Sequence, residues 1–343
     1  MIDRTIRLDR SWSWRSFFFQ WEWLLVLIFI AINILNSFLS PYYLDVDTFV
    51  SMPMTFLDKA FIVLPMTMVI ILGNIDISVG STVALSAVVM AVSFNAGLPM
   101  PLALVLCLVV GSVCGLINGL LMTRFRELSS VIVTLSTMII YRGIAYIILE
   151  NQASGKFPTW YSTLGWGSVG GIPIMVIAFA VCAVVFGLLL HSTSFGRRIY
   201  AMGSNLTASR YSGVKTGSII IIVSVLTGLM AGVTALFLSS RMGSTRPNVA
   251  QGYELDVIAM VVLGGVSTAG GKGRIGGPLL AIFIIGFLNY GLGLVNIQAQ
   301  DLLIVVGLLL IVSVLVLNVG FLDRKKRPVS PTRGEKEIQE EDL

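Results

Sequence analysis

The stretch ILGNIDISVGS, residues 71–81, interrupts a long run of apolar residues. FIVLPMTMVII precedes it at 61–71 and TVALSAVVMAVSF follows it at 82–94. A carboxylate, an amide and two hydroxyls therefore lie where the surrounding sequence predicts hydrocarbon. An ionisable residue inside a membrane span is costly and usually faces a bundle interior or a water-filled path. The stretch therefore predicts a break between two short membrane spans, because broken helices are tolerated where they are buried or line a cavity.

The composition of the whole chain is that of a membrane protein. Its 343 residues are 56% hydrophobic and 12% charged, with a mean hydropathy of +0.90. Soluble domains carry about 25% charged residues. The net charge of +5 does not indicate a nucleic-acid partner, because Lys and Arg accumulate in the cytoplasmic loops of membrane proteins. We predict an all-α, polytopic bundle of transmembrane helices that contacts membrane lipid and binds no nucleic acid.

The hydropathy pattern predicts ten spans, since a spanning helix needs about 20 apolar residues. They lie near 22–40, 58–73, 79–95, 100–123, 130–149, 172–191, 217–239, 253–267, 276–294 and 301–320, and the second, third and eighth are short or interrupted. Of the 23 Lys and Arg residues, eighteen then fall in cytoplasmic segments and four outside. This bias places both termini in the cytoplasm, and joining 58–95 into one span would remove it.

The spans divide the chain into three predicted parts. Residues 1–21 form a cytoplasmic or interfacial segment, whose Trp and Phe residues are typical of the membrane surface. Residues 22–320 form the transmembrane domain. Residues 321–343 form a disordered cytoplasmic tail of mixed charge.

Four ionisable residues inside the spans are candidates for function: Asp76, Arg142, Glu254 and Asp256. Asp76 either lines the pathway or belongs to a helix cap, in which Asn74, Asp76 or Ser78 accepts backbone N–H groups where the third span begins. The two roles are compatible.

Arg142 has two interpretations of its own. It either contacts a polar substrate or forms an ion pair with an intramembrane carboxylate, for which Asp76 is one candidate partner.

Three glycines, Gly111, Gly115 and Gly119, recur every four residues and so share one face of the fourth span. Such a ridge lets a second helix approach closely. We predict a packing role for them, with Asn118 beside them as a hydrogen-bonding group.

The segment GGVSTAGGKGR at 264–274 resembles a phosphate-binding loop but fails the GxxxxGK[ST] template. It is instead a weak echo of the 68–81 region, since an apolar run ends in a glycine-rich break in both. With one histidine, His191, and no paired catalytic groups, the sequence predicts no catalytic residue and no metal site.

The segment 196–214, GRRIYAMGSNLTASRYSGV, carries small residues, a glycine at each end and helix-compatible residues between Leu206 and Ser212. It either forms a short helix that docks on a partner or is an ordinary solvated loop that its arginines hold inside. The residues alone leave both open.

Several of these segments resemble the permease subunits of ribose-type ABC importers. GNIDISVGS is similar to that family's GGIDLSVG signature, and 196–214 to its G-R-x-x-x-A-x-G-x-N-x-x-A-x-x-x-G loop. TLSTMIIYRGIA at 134–145 and ELDVIAMVVLGGVSTAGGKGRIGG at 254–277 also look like family segments, so the resemblance covers nearly all of 24–320. One departure is Asn74, where the family usually has glycine.

The resemblance implies a division of labour. Two permease subunits, identical or related, form a path across the bacterial inner membrane, and a periplasmic or lipoprotein receptor delivers a sugar. Separate ATP-binding subunits hydrolyse ATP, so no cofactor is expected on this chain. The cytoplasmic loop couples the ATPase to the path, which assigns that role to Gly196, Arg197, Ala201, Gly203, Asn205, Ala208, Arg210 and Gly213.

The leading hypothesis is therefore an importer permease for a sugar or sugar-like molecule. The chain most resembles permeases for rhamnose and for the furanone autoinducer, and we favour rhamnose. The expected pathway or gating residues are Asn74, Asp76, Ser78, Asn118 and Arg142. The main alternative is an ion-coupled secondary transporter that uses Asp76 or Asp256 as its coupling carboxylate. An integral membrane enzyme is a weaker third hypothesis.

Overall fold

The computed structural model describes residues 21–125, 127–297, and Asp301, Ile304, Gly307, Leu308 and Ile311. The five described positions after 300 are helical. Most of the predicted tenth span, the N-terminal segment 1–21 apart from Trp21, and the tail 321–343 lie outside the described residues.

Helices account for most of the described chain, and the remainder is connections and four two-residue strands. The helices are α1 Trp21–Leu39, α2 Val46–Ser51, α3 Leu57–Ile71, α4 Val79–Asn95, α5 Met100–Arg124, α6 Ser130–Leu149, α7 Thr159–Trp166, α8 Ile174–His191, α9 Ser194–Ser204, α10 Leu206–Tyr211, α11 Thr216–Met242, α12 Tyr253–Leu263 and α13 Gly276–Leu294. A short 3₁₀ helix, Met52–Thr55, links α2 and α3. Two-residue strands pair as β1 (Ser154–Gly155) with β4 (Ser244–Thr245) and β2 (Ser168–Val169) with β3 (Ile172–Pro173).

Nine of these helices match the first nine predicted spans. Six of them, α1, α5, α6, α8, α11 and α13, are long and apolar enough to cross a membrane, and α4 is a shorter apolar helix. The predicted all-α polytopic bundle is confirmed. We call the end of the bundle that carries residues 192–215 the inner end and the opposite end the outer end, following the orientation that the charges predict.

Helix α3 lies at the centre of the bundle. All of its residues except Lys59 are buried, and it packs against α8, α11, α12 and α13. A helix that is apolar around its whole circumference is typical of a core position. The outward faces of α5, α6 and α8 carry exposed apolar side chains such as Val109, Ile147 and Val184, as expected for helices that face lipid.

Helices α3 and α12 end in the same way. After α3, the N–H groups of Gly73 and Asn74 donate to the carbonyls of Ile70 and Val69, and Gly73 has a φ of +78°. After α12, Gly265 and Val266 repeat both hydrogen bonds, and Gly265 has a φ of +84°. This is the Schellman C-cap, in which a glycine takes the left-handed conformation. The echo between the two glycine-rich segments therefore corresponds to one local structure used twice.

Candidate functional site

Asp76 lies in the non-helical segment 72–78 and is only 3% exposed. Its Oδ1 accepts hydrogen bonds from the backbone N–H of Ser78, at 2.9 Å, and from Ser78 Oγ, at 2.7 Å. Helix α4 begins one residue later, at Val79. A carboxylate that accepts the N–H two residues ahead stabilises the turn that starts a helix. These contacts are those of the capping interpretation.

The hydrogen-bond network continues from Ser78 into α5 and α6. Asn118 Nδ2 donates to Ser78 Oγ at 2.7 Å, and the Tyr141 hydroxyl donates to Asn118 Oδ1 at 3.1 Å. All of these side chains are buried. The structure thus brings Asp76, Ser78 and Asn118 together. Tyr141 was not predicted from the sequence, because a tyrosine in an apolar helix carries no charge to mark it.

Arg142 does not join this network. Its Nη1 donates to the carbonyl oxygens of Pro247 and Val249, both at 2.7 Å. Within the described residues it forms no ion pair with Asp76. The Asp76 carboxylate instead accepts hydrogen bonds from Ser78. Arg142 joins α6 to the connection between α11 and α12.

The segment 72–78 runs from the inner end toward the middle of the bundle. The Ile75 N–H donates to Ser130 Oγ and the Ile77 N–H donates to Thr134 Oγ1, each at 3.2 Å. Ser130 begins α6 and Thr134 is one turn further along it, so the chain climbs along α6. These bonds satisfy backbone groups that no helix satisfies, as non-helical chain inside a membrane requires. Asn74, by contrast, makes its hydrogen bond through its backbone N–H, in the C-cap of α3.

The segment 246–252 enters the bundle from the outer end. Arg142 holds it by two carbonyls and lies seven residues before the last residue of α6, or about 10 Å along that helix. Ala250 and Gly252 take the left-handed conformation, with φ of +55° and +88°. Helix α12 then covers only the remaining depth, to Leu263, whose carbonyl accepts the Trp21 indole N–H at 2.8 Å.

The two segments meet at Gly80. A Cβ on this residue would overlap Glu254 Oε2 and the carbonyl oxygen of Ala250, so only glycine leaves room for them. The starts of α4 and α12 therefore face each other inside the bundle. Sequence reasoning singled out Glu254 but not Gly80, although Gly80 belongs to the signature stretch.

A cleft of about 400 Å³ opens beside this meeting point. We call it the midspan cleft. Its polar lining residues are Ser81, Arg142, Tyr146, Gln251 and Glu254. Glu254 lies close enough to interact electrostatically with the Arg142 guanidinium.

At the inner end, both helix breaks contact α9. The N–H of Gly271 donates to the carbonyl of Ile71 at 2.8 Å. A Cβ on Gly203 would overlap that same carbonyl, and a Cβ on Gly270 would lie 3.1 Å from Gly73 Cα. We call these four glycines, Gly73, Gly203, Gly270 and Gly271, the glycine junction. Main chains from three parts of the chain meet there because none of the four has a side chain.

Helix α9 is anchored at this junction through one face. Ile199 and Met202 are buried, and the Tyr200 hydroxyl donates to the carbonyl of Gly273 at 2.8 Å. The pKa of the Tyr200 phenol is raised by burial, and the nearby positive charge of Arg274 offsets this rise only in part. The hydroxyl thus stays a neutral donor to the second break.

The opposite face of the α9–α10 pair is exposed. Arg197, Arg198, Ala201, Arg210 and Tyr211 lie on it, and Tyr211 is 90% exposed. Two local caps shape the pair. Thr193 Oγ1 accepts the Gly196 N–H, and Asn205 Oδ1 accepts the Ala208 N–H. The turn after α10 ends at Gly213, whose φ is +80°.

The short helix expected between Leu206 and Ser212 corresponds to α10, which spans Leu206–Tyr211. The longer helix α9 was not predicted. Its sequence, SFGRRIYAMGS, contains two glycines, and glycine lowers helix propensity by about 1 kcal/mol per residue.

The glycine ridge of α5 lies against α11, in the most extensive helix–helix contact of the described chain. A Cβ on Gly111 would overlap the carbonyl of Gly228, and a Cβ on Gly115 would overlap the carbonyl of Ser224. Gly119 faces Ile221 Cα. Helix α11 also carries small residues at a four-residue spacing on the contacting face, and this spacing was already visible in the sequence.

At the outer end, two ion pairs join α3, α11 and α12. Arg241 Nη2 contacts the fully buried Asp58 at 2.7 Å, and Lys59 pairs with Asp256. Tyr253 also donates to Asp58, at 3.1 Å. Sequence reasoning missed Asp58 because it lies beside Lys59 at a predicted span end, where charges are unremarkable.

Next to these ion pairs lies a cleft of about 520 Å³, which we call the outer cleft. Its polar lining includes Arg241, Arg246, Asn248 and Gln251. Within the described residues, no group of three His, Cys, Asp or Glu side chains gathers at a distance suited to a metal ion.

Residues 50–314 match the family model described as branched-chain amino acid transport system / permease component. The autoinducer 2 import system permease protein LsrD of Salmonella typhimurium is 34% identical over 308 residues, covering 88% of this chain and 92% of that protein. The ribose import permease protein RbsC of Bacillus subtilis is 37% identical over 295 residues, covering 85% and 89%. No solved structure matches the chain at a significant level.

Proposed function

Since the chain belongs to the family of branched-chain amino acid transport system permease components, we propose that the two converging helix breaks line its transport path. The chain is an importer permease of the ABC type and a multi-pass protein of the inner membrane. It is a transport subunit rather than an enzyme. The meeting of the 72–78 and 246–252 segments at a polar cleft carries the proposal, because non-helical chain within a transporter commonly forms its binding site.

Two ATP-binding subunits supply the energy in this proposal, and no cofactor binds to this chain. They dock on the exposed face of α9 and α10, where Arg197, Arg198, Arg210 and Tyr211 are accessible. The buried face of α9 touches both breaks at the glycine junction. A shift of α9 during the ATPase cycle therefore acts directly on the main chain of both breaks. A second permease subunit, identical or related, completes the path.

A sugar-binding receptor docks at the outer end. The surfaces that fit this role are residues 151–171, with α7, and residues 241–253 around the outer cleft. The arginines and amides of the outer cleft offer hydrogen-bond donors to a protein surface. The ion pairs of Asp58 and Asp256 lie directly beneath, so receptor docking acts where α3, α11 and α12 are joined.

The transported molecule is a sugar or a sugar-like compound. Two of its relatives are named for import of autoinducer 2 and of ribose. Rhamnose, favoured from the sequence, stays a prediction within this class. Asn74, Asp76, Ser78, Asn118 and Arg142 are proposed to shape or gate the path. Asp76 and Ser78 fix the start of α4, and Arg142 fixes the 246–252 segment.

Reconstitution in proteoliposomes tests this function. The full chain is combined with its ATP-binding subunits and with a receptor, and uptake of radiolabelled ribose, rhamnose and autoinducer 2 is followed. We expect uptake of one of them only when both ATP and the receptor are present. Uptake by the chain alone, driven by a proton gradient, would establish the ion-coupled alternative, with Asp76 or Asp256 as its coupling carboxylate.

A further inference from the structure

The midspan cleft carries an inference that rests on the proposed function and extends it. We propose that this cleft is a transient binding site for neighbouring hydroxyl groups of the transported molecule, with Arg142 as the donor and Glu254 as the acceptor.

The cleft lies deep within the membrane-spanning region. Arg142 is twelve residues after the start of α6, which corresponds to about 18 Å along a helix. The hydrocarbon core of a bilayer is about 30 Å thick. Two charged side chains at such a depth are costly if they face lipid, and charges of this kind face a bundle interior or a water-filled path. The cleft therefore opens toward the path.

Arg142 presents an oriented donor to the cleft. Its Nη1 is held by the carbonyls of Pro247 and Val249. Within the described residues, no hydrogen bond uses its Nη2 or Nε. A guanidinium has five N–H groups in a rigid fork. Because two are fixed by the main chain, the remaining donors are held in place before any ligand arrives.

Glu254 presents an acceptor that the protein leaves unused. Its Oε1 accepts the Gly252 N–H at 3.2 Å. Its Oε2 is buried and accepts no hydrogen bond from the described residues. A buried carboxylate oxygen without a partner is costly, so this oxygen is a site where a ligand hydroxyl gains a strong hydrogen bond.

A hydroxylated molecule fits this pair of groups. One hydroxyl donates to Glu254 Oε2 while its neighbour accepts from Arg142, and Ser81, Tyr146 and Gln251 add further polar groups around the cleft. The cleft volume of about 400 Å³ falls in the range of about 300–1,000 Å³ seen for small-molecule sites. One charge of each sign favours a neutral polyol over a charged solute.

The experiment compares two readouts in the reconstituted importer: receptor-stimulated ATP hydrolysis, and uptake of whichever of ribose, rhamnose or autoinducer 2 the wild type imports. In Glu254→Gln the amide keeps an acceptor for the Gly252 N–H but removes the charge. We expect uptake to fall about tenfold, the effect of losing one charge-assisted hydrogen bond, while ATP hydrolysis stays unchanged. Glu150→Gln, an exposed carboxylate in the outer connection, is the matched control and changes neither readout.

One further variant guards the test against misfolding. Tyr146 is exposed, so Tyr146→Phe leaves the fold intact, and it is expected to reduce uptake about threefold, as the loss of a neutral hydrogen bond predicts. A deoxy analogue of the transported molecule lacks one of the bonded hydroxyls. For this analogue, the difference in uptake between the wild type and Glu254→Gln should be smaller.

The outcomes separate the two proposals. Wild-type uptake without ATP and a receptor overturns the proposed function, and the site with it. A receptor- and ATP-dependent wild type, combined with normal uptake by Glu254→Gln and Tyr146→Phe, overturns the site alone. A parallel fall of uptake and ATP hydrolysis assigns Glu254 a purely structural role and also overturns the site.

Discussion

At the scale of single residues, Asp76 organises the start of α4 through one carboxylate oxygen. Oδ1 accepts both the backbone N–H and the hydroxyl of Ser78, and Ser78 accepts from Asn118. Because the side-chain oxygen of asparagine can accept the same two bonds, charge is not needed for this role. A carboxylate that couples transport to an ion would need the negative charge.

Asp76→Asn and Asp76→Ala therefore separate the two roles. We expect Asp76→Asn to retain transport and stability. Asp76→Ala should lower the free energy of unfolding by about 1–2 kcal/mol, the usual cost of a lost cap. Thermal unfolding in detergent and uptake in proteoliposomes measure both effects. A large loss of uptake in Asp76→Asn, with normal membrane insertion and unchanged stability, would instead support an electrostatic role in the path.

Gly80 gives a second residue-scale prediction. A Cβ there overlaps Glu254 and the Ala250 carbonyl, and backbone cannot move aside easily. We expect Gly80→Ala to lower the free energy of unfolding by about 1–3 kcal/mol through overpacking. Gly293→Ala is the control, since its Cβ meets open space within a helix, and it should be neutral or stabilising. Equal thermal stability of the two variants would contradict the close approach of α4 and α12.

Local residue roles could be predicted from the sequence, whereas distant partners could not. Asp76 and Ser78 are two positions apart, so the turn chemistry of the stretch indicates their contact. Arg142 meets carbonyls more than 100 residues away, and backbone carbonyls carry no sequence signal. The departure at Asn74 also has a physical reason. Gly73, not residue 74, takes the left-handed conformation of the C-cap, so asparagine is tolerated there.

At the scale of helices, the sequence predicted which residues interrupt the helices but not where the interrupting segments lie in the bundle. Polar and glycine-rich interruptions of apolar runs mark the ends of α3 and α12 correctly. The descent of 246–252 into the bundle was not predicted, because this segment has the composition of an ordinary loop. Two of its carbonyls accept hydrogen bonds from Arg142, a contact that only the packed structure creates. The short length of α12 was the available clue.

The contacts at the glycine junction lead to a prediction about how α9 acts on the proposed path. In Gly203→Ala the new methyl overlaps the Ile71 carbonyl and separates α9 from both breaks. We expect uptake to fall at least about tenfold, because overpacking of about 1–3 kcal/mol displaces the contact, while receptor binding is retained. Uptake and receptor binding in proteoliposomes are measured together.

The control for this prediction is Gly217→Ala, at the start of α11, where the new Cβ lies 3.7 Å from its nearest neighbour, the Thr123 methyl. It should transport as the wild type does. Normal uptake in Gly203→Ala would mean that α9 does not act through the junction.

At the scale of the whole molecule, α3 connects the two ends of the permease. Its first turn carries Asp58 and Lys59, which pair with α11 and α12 at the outer end. Its last carbonyl, that of Ile71, contacts the second break and the glycine junction at the inner end. A rigid, fully packed helix transmits displacement along its length. In the proposed function, this one central helix therefore joins the end proposed for receptor docking to the end proposed for ATPase docking.

The orientation of the bundle gives the last prediction, since this mechanism requires α9 and α10 to face the cytoplasm. Cysteines are introduced singly as Tyr211→Cys and Gly170→Cys, both at exposed positions at opposite ends, after Cys107, Cys114 and Cys182 are replaced by alanine. A membrane-impermeant maleimide should label Gly170→Cys in cells with a permeabilised outer membrane. Tyr211→Cys should react only once the inner membrane is opened. Labelling of Tyr211→Cys in sealed cells would mean that α9 and α10 lie outside the cytoplasm. That result would contradict both the predicted topology and the assignment of the glycine junction to the ATPase side.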